Sequence, residues 1–203
     1  GTFTDLMVFD SENKKSFAIK VSSNPSNPIE AVLKAIKVGN LNMQDIDTII
    51  HGTTVATNSL LEKIGAKTAF ICTKGFSDII FIQRMNRKHH YDLKWDKPKL
   101  PIERKYCFDI DERVNYKGEV LKDLDDKDVV KLAGIIKKEK IESIAVCCLF
   151  SYLFAGHEIR IREIFKDLLP NVKLSLSHEV FPRWREYERA STTIIDAFLK
   201  PSV

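Results

Sequence analysis

From Ile144 to Phe150 the chain runs Ile-Ala-Val-Cys-Cys-Leu-Phe without one charged side chain. A short, unbroken apolar run is the pattern of a strand buried on both faces, because a half-exposed strand would alternate. Such a strand needs helices packed over its sheet. The sequence supplies them. Asp126 to Glu139 sets Val129, Val130, Leu132, Ala133 and Ile136 on one helical face, and a second helix follows from about His157 to Leu168. Thr68–Thr73 and Val172–Leu176 are further apolar strands, and a last helix spans roughly Trp184 to Leu199. Strands alternating with helices predict an α/β fold with both parallel and antiparallel pairing.

The amino-terminal part is organised differently. Leu6–Phe9 and Phe17–Val21 flank the polar stretch Asp10-Ser11-Glu12-Asn13, which predicts a hairpin. Ile29, Val32, Leu33 and Ile36 recur at helical spacing up to Gly39. Ile46–Ile50 is expected to form a short buried strand, and Ser59–Lys63 the body of a helix ended by Gly65. With Thr68–Thr73 this makes residues 46 to 73 a strand–helix–strand unit. Phe108–Val114 and Val120–Leu121 are expected to be strands turning at Lys117-Gly118. The start at Gly1 runs directly into an apolar strand and the end at Val203 follows a helix closely, so the chain is expected to be a fragment with a strand partner upstream.

Between the run Ile46–Ile50 and its helix lies His51-Gly52-Thr53-Thr54-Val55-Ala56-Thr57-Asn58. A helix start leaves backbone N–H groups unpaired and its dipole favours an anion, at the sheet edge where α/β proteins bind ligands. Helix capping accounts for one Thr or Asn, and a phosphate or carboxylate site accounts for the whole cluster. His51 is equally a strand-end histidine or an active-site group. Thr53 and Thr54 suit hydrogen bonds to phosphate or substrate better than base chemistry. Asn58 can hold the loop or contact substrate. Arg84, Asn86 and Arg87 can clamp a carboxylate or bicarbonate, or form a solvated basic loop. His89, His90 and Asp92 are poor metal ligands, because adjacent residues rarely share one coordination sphere. Arg185, Glu186, Glu188 and Arg189 have the spacing of helix ion pairs.

A net charge of +4 with lysines spread along the 203 residues gives no nucleic-acid footprint; Lys137, Lys138 and Lys140 are the densest cluster. No apolar run reaches membrane-spanning length. Cys72, Cys107, Cys147 and Cys148 have neither zinc spacing nor disulfide density, and three of them sit in apolar runs. Buried free thiols in a reducing cytoplasm follow.

Gly1-Thr2-Phe3-Thr4-Asp5 together with the His51–Asn58 cluster resembles the amino-terminal domain of the hydantoinase/oxoprolinase family. Thr73-Lys74-Gly75-Phe76-Ser77-Asp78, Tyr91-Asp92-Leu93, Asp111-Glu112-Arg113-Val114 and the segment from Arg185 to Thr193 agree in order. The chain departs from the family in lacking the Asp and Gly that precede its opening loop. It also has Phe154-Ala155-Gly156 in place of Asn-Pro before His157-Glu158, and Arg183-Trp184 after Phe181-Pro182.

The resemblance implies an actin-like ATPase fold, ribonuclease H-like with a mixed sheet, divided into residues 1–180 and the start of a following domain at 181–203. It implies ATP and Mg²⁺ as cofactors, with Gly1, Thr2, Thr4, Asp5, Gly52 and Thr53 around the phosphates and Asp5 at the metal. His51 and Thr54 would be catalytic, and Asn58, Arg84 and Arg87 would contact a cyclic amide substrate. The implied activity is ATP-dependent cyclic-amide hydrolysis beside a second subunit of the hydantoinase B type. The alternatives are a subunit of an ATP-dependent acetone or acetophenone carboxylase and, for the fragment itself, a non-catalytic binding or assembly module. Gly1–Asp5 and His51–Asn58 are expected to line one cleft.

Overall fold

The computed structural model describes residues 3–24, 27–84 and 91–201. The chain divides into two compact units, residues 1–58 and 59–203.

In the first unit β1 (Phe3–Asp10) and β2 (Lys15–Ser22) form the expected hairpin, with Phe3 opposite Ser22 and Asp10 opposite Lys15. The Asp10 carboxylate ties the turn, accepting from the Glu12 and Asn13 backbone N–H groups at 2.9 and 3.0 Å. Helix α1 (Pro28–Val38) covers one face, where Leu6 and Ile19 pack with Val21, Ala31 and Ala35. A Cβ at Gly39 would stand 2.4 Å from Ile19 Cδ1, so a larger residue there would have to push that methyl aside. The outward row of β1, including Phe3, Met7 and Phe9, is exposed.

The strand expected at Ile46–Ile50 is not formed. Ile46 is extended, but among the described residues the segment joins no ladder, and Ile50 is 93% exposed. An apolar run becomes a strand only where an edge accepts its backbone groups, and Asp47-Thr48 also breaks the alternation that would hide one face. Residues 46 to 73 therefore contribute a helix, α2 (Val55–Glu62), and a strand, β3 (Thr68–Thr73). Helix α2 closes at Lys63, whose φ is +57°, and not at Gly65. Gly65 instead admits the Phe198 ring, 2.5 Å from where its Cβ would be.

The second unit is built on β3. After it come α3 (Ile79–Ile82), β4 (Cys107–Ile110), β5 (Arg113–Val114), β6 (Val120–Lys122) and α4 (Asp126–Lys138). Then follow β7 (Ser143–Cys147), α5 (Gly156–Leu168), β8 (Lys173–Leu176), α6 (Ser177–Val180) and α7 (Glu186–Leu199). The sheet order is β4-β3-β7-β8, all parallel, whereas β5–β6 is an antiparallel hairpin. Both expected pairing modes are thus present, in separate sheets.

Period-two alternation explains the continuous apolar strands. Ala69 and Ile71 of β3 with Ile144 and Val146 of β7 face α4 and α5, meeting Val129, Leu132, Ile136, Ile161 and Phe165. Phe70, Cys72, Ala145 and Cys147 face the other way, onto Ile80 of α3 and Ala190, Ile194 and Ala197 of α7. The run expected as one strand from Phe108 to Val114 is two. The chain turns at Asp111-Glu112, where the Glu112 N–H bonds the Ile110 carbonyl at 3.0 Å, because the Glu112 side chain is drawn inward.

Candidate functional site

Chain order β4-β3-β7-β8 sends the connection after β3 to one side and that after β7 to the other. The carboxyl ends of β3 and β7 therefore flank the switch point where doubly wound sheets open a ligand crevice. Buried polar side chains gather at this edge. The Leu149 N–H donates to Thr73 Oγ1 at 2.8 Å. That leaves the Thr73 hydroxyl hydrogen for Glu112 Oε1, with which it makes a very short bond. Glu112 Oε2 meets His157 Nδ1 at 2.6 Å, with the Glu112 side chain fully buried and that of His157 8% exposed. The Phe154 ring packs edge-on against the imidazole, centroids 5.2 Å apart.

Glu158, the next residue, is a second buried carboxylate. It accepts from the Cys148 N–H at 2.9 Å, Ser177 Oγ at 2.6 Å, the His178 N–H at 3.1 Å and His178 Nδ1 at 2.6 Å. Ser177 also meets Ser151 at 2.8 Å. Arg189 is buried on α7 and donates to the carbonyls of Cys148 at 3.0 Å and Arg183 at 2.9 Å, with its guanidinium over the Tyr152 ring. Its Nε is the one fully buried side-chain polar atom left unpaired among the described residues. Of the helix ion pairs expected here, Arg189–Glu186 is a loose contact of 3.8 Å, and Glu188 turns to Arg84.

The residues singled out in the sequence lie elsewhere. Gly1, Thr2, Asn86, Arg87, His89 and His90 fall outside the described residues. Thr4 Oγ1 bonds Ser23 Oγ at 2.8 Å, and exposed Asp5 pairs with Lys20 at 3.2 Å. His51 and Gly52 are exposed, with nothing within 4 Å of a Cβ placed on Gly52. Thr53 Oγ1 accepts from the Val55 N–H at 3.2 Å, and Asn58 Nδ2 reaches Thr54 Oγ1 at 3.4 Å, so both threonines serve the start of α2. Among the described residues no hydrogen bond or ion pair links residues 3–5 to residues 51–58. Arg84 forms a two-pronged bond to Glu188 at 2.8 and 2.7 Å; that bond raises its pKa further, and Arg84 in turn lowers that of Glu188. Asp92 caps its own turn through the Lys94 N–H at 2.9 Å.

Glu112, His157, Glu158 and Arg189 lie inside or beside the ordered motifs, which by themselves mark no site there. The available signal was positional: Glu112 follows the end of one strand, and His157-Glu158 open the helix after another.

This fold and this edge belong to a recognisable class. Residues 1–169 match the hydantoinase/oxoprolinase N-terminal region, and the chain belongs to that family. It is similar to an uncharacterised protein of Methanocaldococcus jannaschii, 40% identical over all of this chain and 30% of the relative. Caprolactamase subunit alpha of Pseudomonas jessenii is 30% identical, over 99% of this chain and 30% of that protein. The acetophenone carboxylase gamma subunit of Aromatoleum aromaticum is also 30% identical, over 100% of this chain and 30% of its own length. The crystal structure of the ATP-dependent caprolactamase from Pseudomonas jessenii superposes with a TM-score of 0.82 at 28% identity, over 99% of this chain and 30% of that one. Nucleotide-free acetone carboxylase shares the fold at a TM-score of 0.86 and 19% identity, over 99% of this chain and 31% of that one. The chain thus spans about 30% of the length of these curated relatives.

Proposed function

We propose that the chain is the nucleotide-phosphate-binding, amino-terminal part of an ATP-dependent hydrolase of cyclic amides. The observation that carries this reading is the likeness to ATP-dependent caprolactamase along nearly the whole chain. We take residues 1–180, which include the family match at 1–169, as the amino-terminal domain and 181–203 as the start of the next.

The donor chemistry suits nucleotide phosphates. Gly1, Thr2, Thr4, Gly52 and Thr53 would supply hydroxyls and backbone N–H groups, and Asp5 would hold Mg²⁺ through water. Exposed Asp5 needs only to release Lys20 to do so. ATP would supply a phosphoryl group to activate the amide oxygen. The protein's share is positioning and charge neutralisation, with His51 and Thr54 at the reacting group and Asn58, Arg84 and Arg87 toward substrate. Arg84 would have to exchange Glu188 for a substrate carboxylate. A second subunit of the hydantoinase B type fits the subunit organisation named for the caprolactamase relative. The four free, mostly buried cysteines fit a reducing cytoplasm.

The acetophenone carboxylase relative supports a second reading, an ATP-dependent ketone carboxylase subunit. Taken by itself, a chain of about 30% of its relatives' length would serve as a binding or assembly module. In the full-length protein, ADP release driven by lactams or hydantoins supports the first reading, and release requiring ketone plus bicarbonate replaces it with the second. His51→Ala should slow ATP-coupled turnover by roughly a hundredfold or more with an unchanged melt, and Thr54→Ala should do less. Near-wild-type turnover of the His51 variant would remove that residue from the chemistry.

A further inference from the structure

Residues 95 to 102 run beside α3 as a strap, and two hydrogen bonds tie them to the end of that helix. Gln83 Nε2 donates to the Pro98 carbonyl at 2.6 Å, and Lys97 Nζ donates to the Ile82 carbonyl at 2.6 Å. The second bond satisfies a carbonyl of the kind that a helix's last turn leaves unpaired. Helix and strap together line a cavity of about 490 Å³, inside the range of roughly 300–1,000 Å³ typical of small-molecule sites. All of its walls belong to the unit formed by residues 59–203.

The walls divide by chemistry. Ile80 is buried, and Phe81, Trp95, Leu100 and Ile102 are half-buried, which gives the cavity an apolar lining with two aromatic rings. Asp96 and Lys99 line it from the strap. Both are exposed, and neither makes a hydrogen bond or ion pair among the described residues. An unpaired surface charge is ordinary by itself. Here an anion and a cation border one apolar cavity without pairing with each other, while the ammonium of Lys97 is already engaged. A ligand of one sign would meet a like charge at the rim, and a neutral one would leave both charges unused. An apolar skeleton carrying an ammonium and a carboxylate complements all three features.

We propose that this cavity binds a free amino acid, with its carboxylate at Lys99, its ammonium at Asp96 and its apolar part against Phe81 and Trp95. Two sources share that chemistry. Hydrolysis of a simple lactam adds water across the C–N bond and leaves an ammonium and a carboxylate at the two ends of one chain; this source rests on the cyclic-amide reading above. A free α-amino acid with an apolar side chain carries the same two groups on one carbon, and needs no such reading.

The test is calorimetry on the full-length protein with 6-aminohexanoate and with phenylalanine, which reads binding without turnover. We expect at least one of them to bind with a Kd of about 1 mM or tighter. Asp96→Asn and Lys99→Gln should each weaken that binding about three- to fivefold with an unchanged melt, the loss expected of a partly exposed ion pair. In the wild-type protein, the same skeletons with one charge removed should also bind about threefold or more weaker. For 6-aminohexanoate these are hexanoate and hexylamine, and for phenylalanine they are 3-phenylpropanoate and phenethylamine. Binding of neither amino acid overturns the site, and so does binding that ignores both substitutions or the loss of either charge. Tighter binding of 6-aminohexanoate assigns the site to the ring-opened product, and tighter binding of phenylalanine assigns it to a free α-amino acid. A full-length protein that couples ATP to no lactam speaks against the proposed function, and phenylalanine binding then decides the site independently.

Discussion

Glu158 has no exposed surface and spends both carboxylate oxygens on four donors, one from Cys148 just after β7 and three from Ser177 and His178 of α6. Removing one member of such a set strands the others, and the penalty falls on the buried groups left unpaired. Glu158→Ala should therefore cost about 3 kcal/mol or more and Ser177→Ala about 1 kcal/mol, read from urea midpoints. A Glu158→Ala protein as stable as wild type would show that the carboxylate holds nothing. The thiols carry a pH signature. Burial pushes Cys147 up to about 11, partly offset by Arg189, and pushes Cys107 up to about 12, partly offset by Arg104. The ordinary value is 9.0, so below it both folded and unfolded chains keep these protons. Above it the unfolded chain ionises first and stability falls, across pH 9 to about 11 for Cys147. Melting curves should drop through that window, and Cys147→Ala should flatten the slope. An identical slope would place the loss in other groups.

Elements whose pattern agrees with their packing were readable in advance. Helix α4 was expected at Asp126–Glu139 and spans Asp126–Lys138, with Asp125 as its N-cap, accepting from the Lys127 N–H at 2.9 Å. Asp125→Ala should cost about 1 kcal/mol. At the centre of the sheet, Ile144 is fully buried between α4 and α5 residues, and Ile144→Ala should cost about 2–5 kcal/mol. Both are settled by denaturant titration, and a cap variant losing as much as the core variant would refute this ranking. The failure at Ile46–Ile50 has the same physics reversed. Five residues with three isoleucines look like a strand, yet pairing needs a neighbour's edge, which the run itself does not encode.

At the scale of the whole molecule, stability is unequal between the units. The residue 1–58 unit buries Val21, Ala31 and Ala35 as its apolar centre, whereas the second unit has two clusters on either side of a four-stranded sheet. Amide exchange in β1 and β2 should be at least about 100-fold faster than in β3 and β7. Equal protection would mean that the units open together. The 203-residue chain alone should bind ATP only weakly, since the Thr4–Asp5 and His51–Asn58 groups are open to solvent and already paired in part with their own neighbours. Calorimetry giving micromolar or tighter affinity would contradict this.

The α/β alternation, the hairpin, the buried strands β3 and β7, helices α4, α5 and α7 and the family are all legible in the order of residues. Each of these depends on local periodicity and on ordered motifs. Packing settled that Glu112 turns inward between β4 and β5, and that Thr73, Glu112 and His157 join into one hydrogen-bonded chain. It also decided that Thr53 and Thr54 are engaged in starting α2. Thr73, Glu112 and His157 are separated by 39 and 45 residues. No spacing rule spans such gaps: only parallel register, which brings strand ends to one edge, sets these side chains against each other.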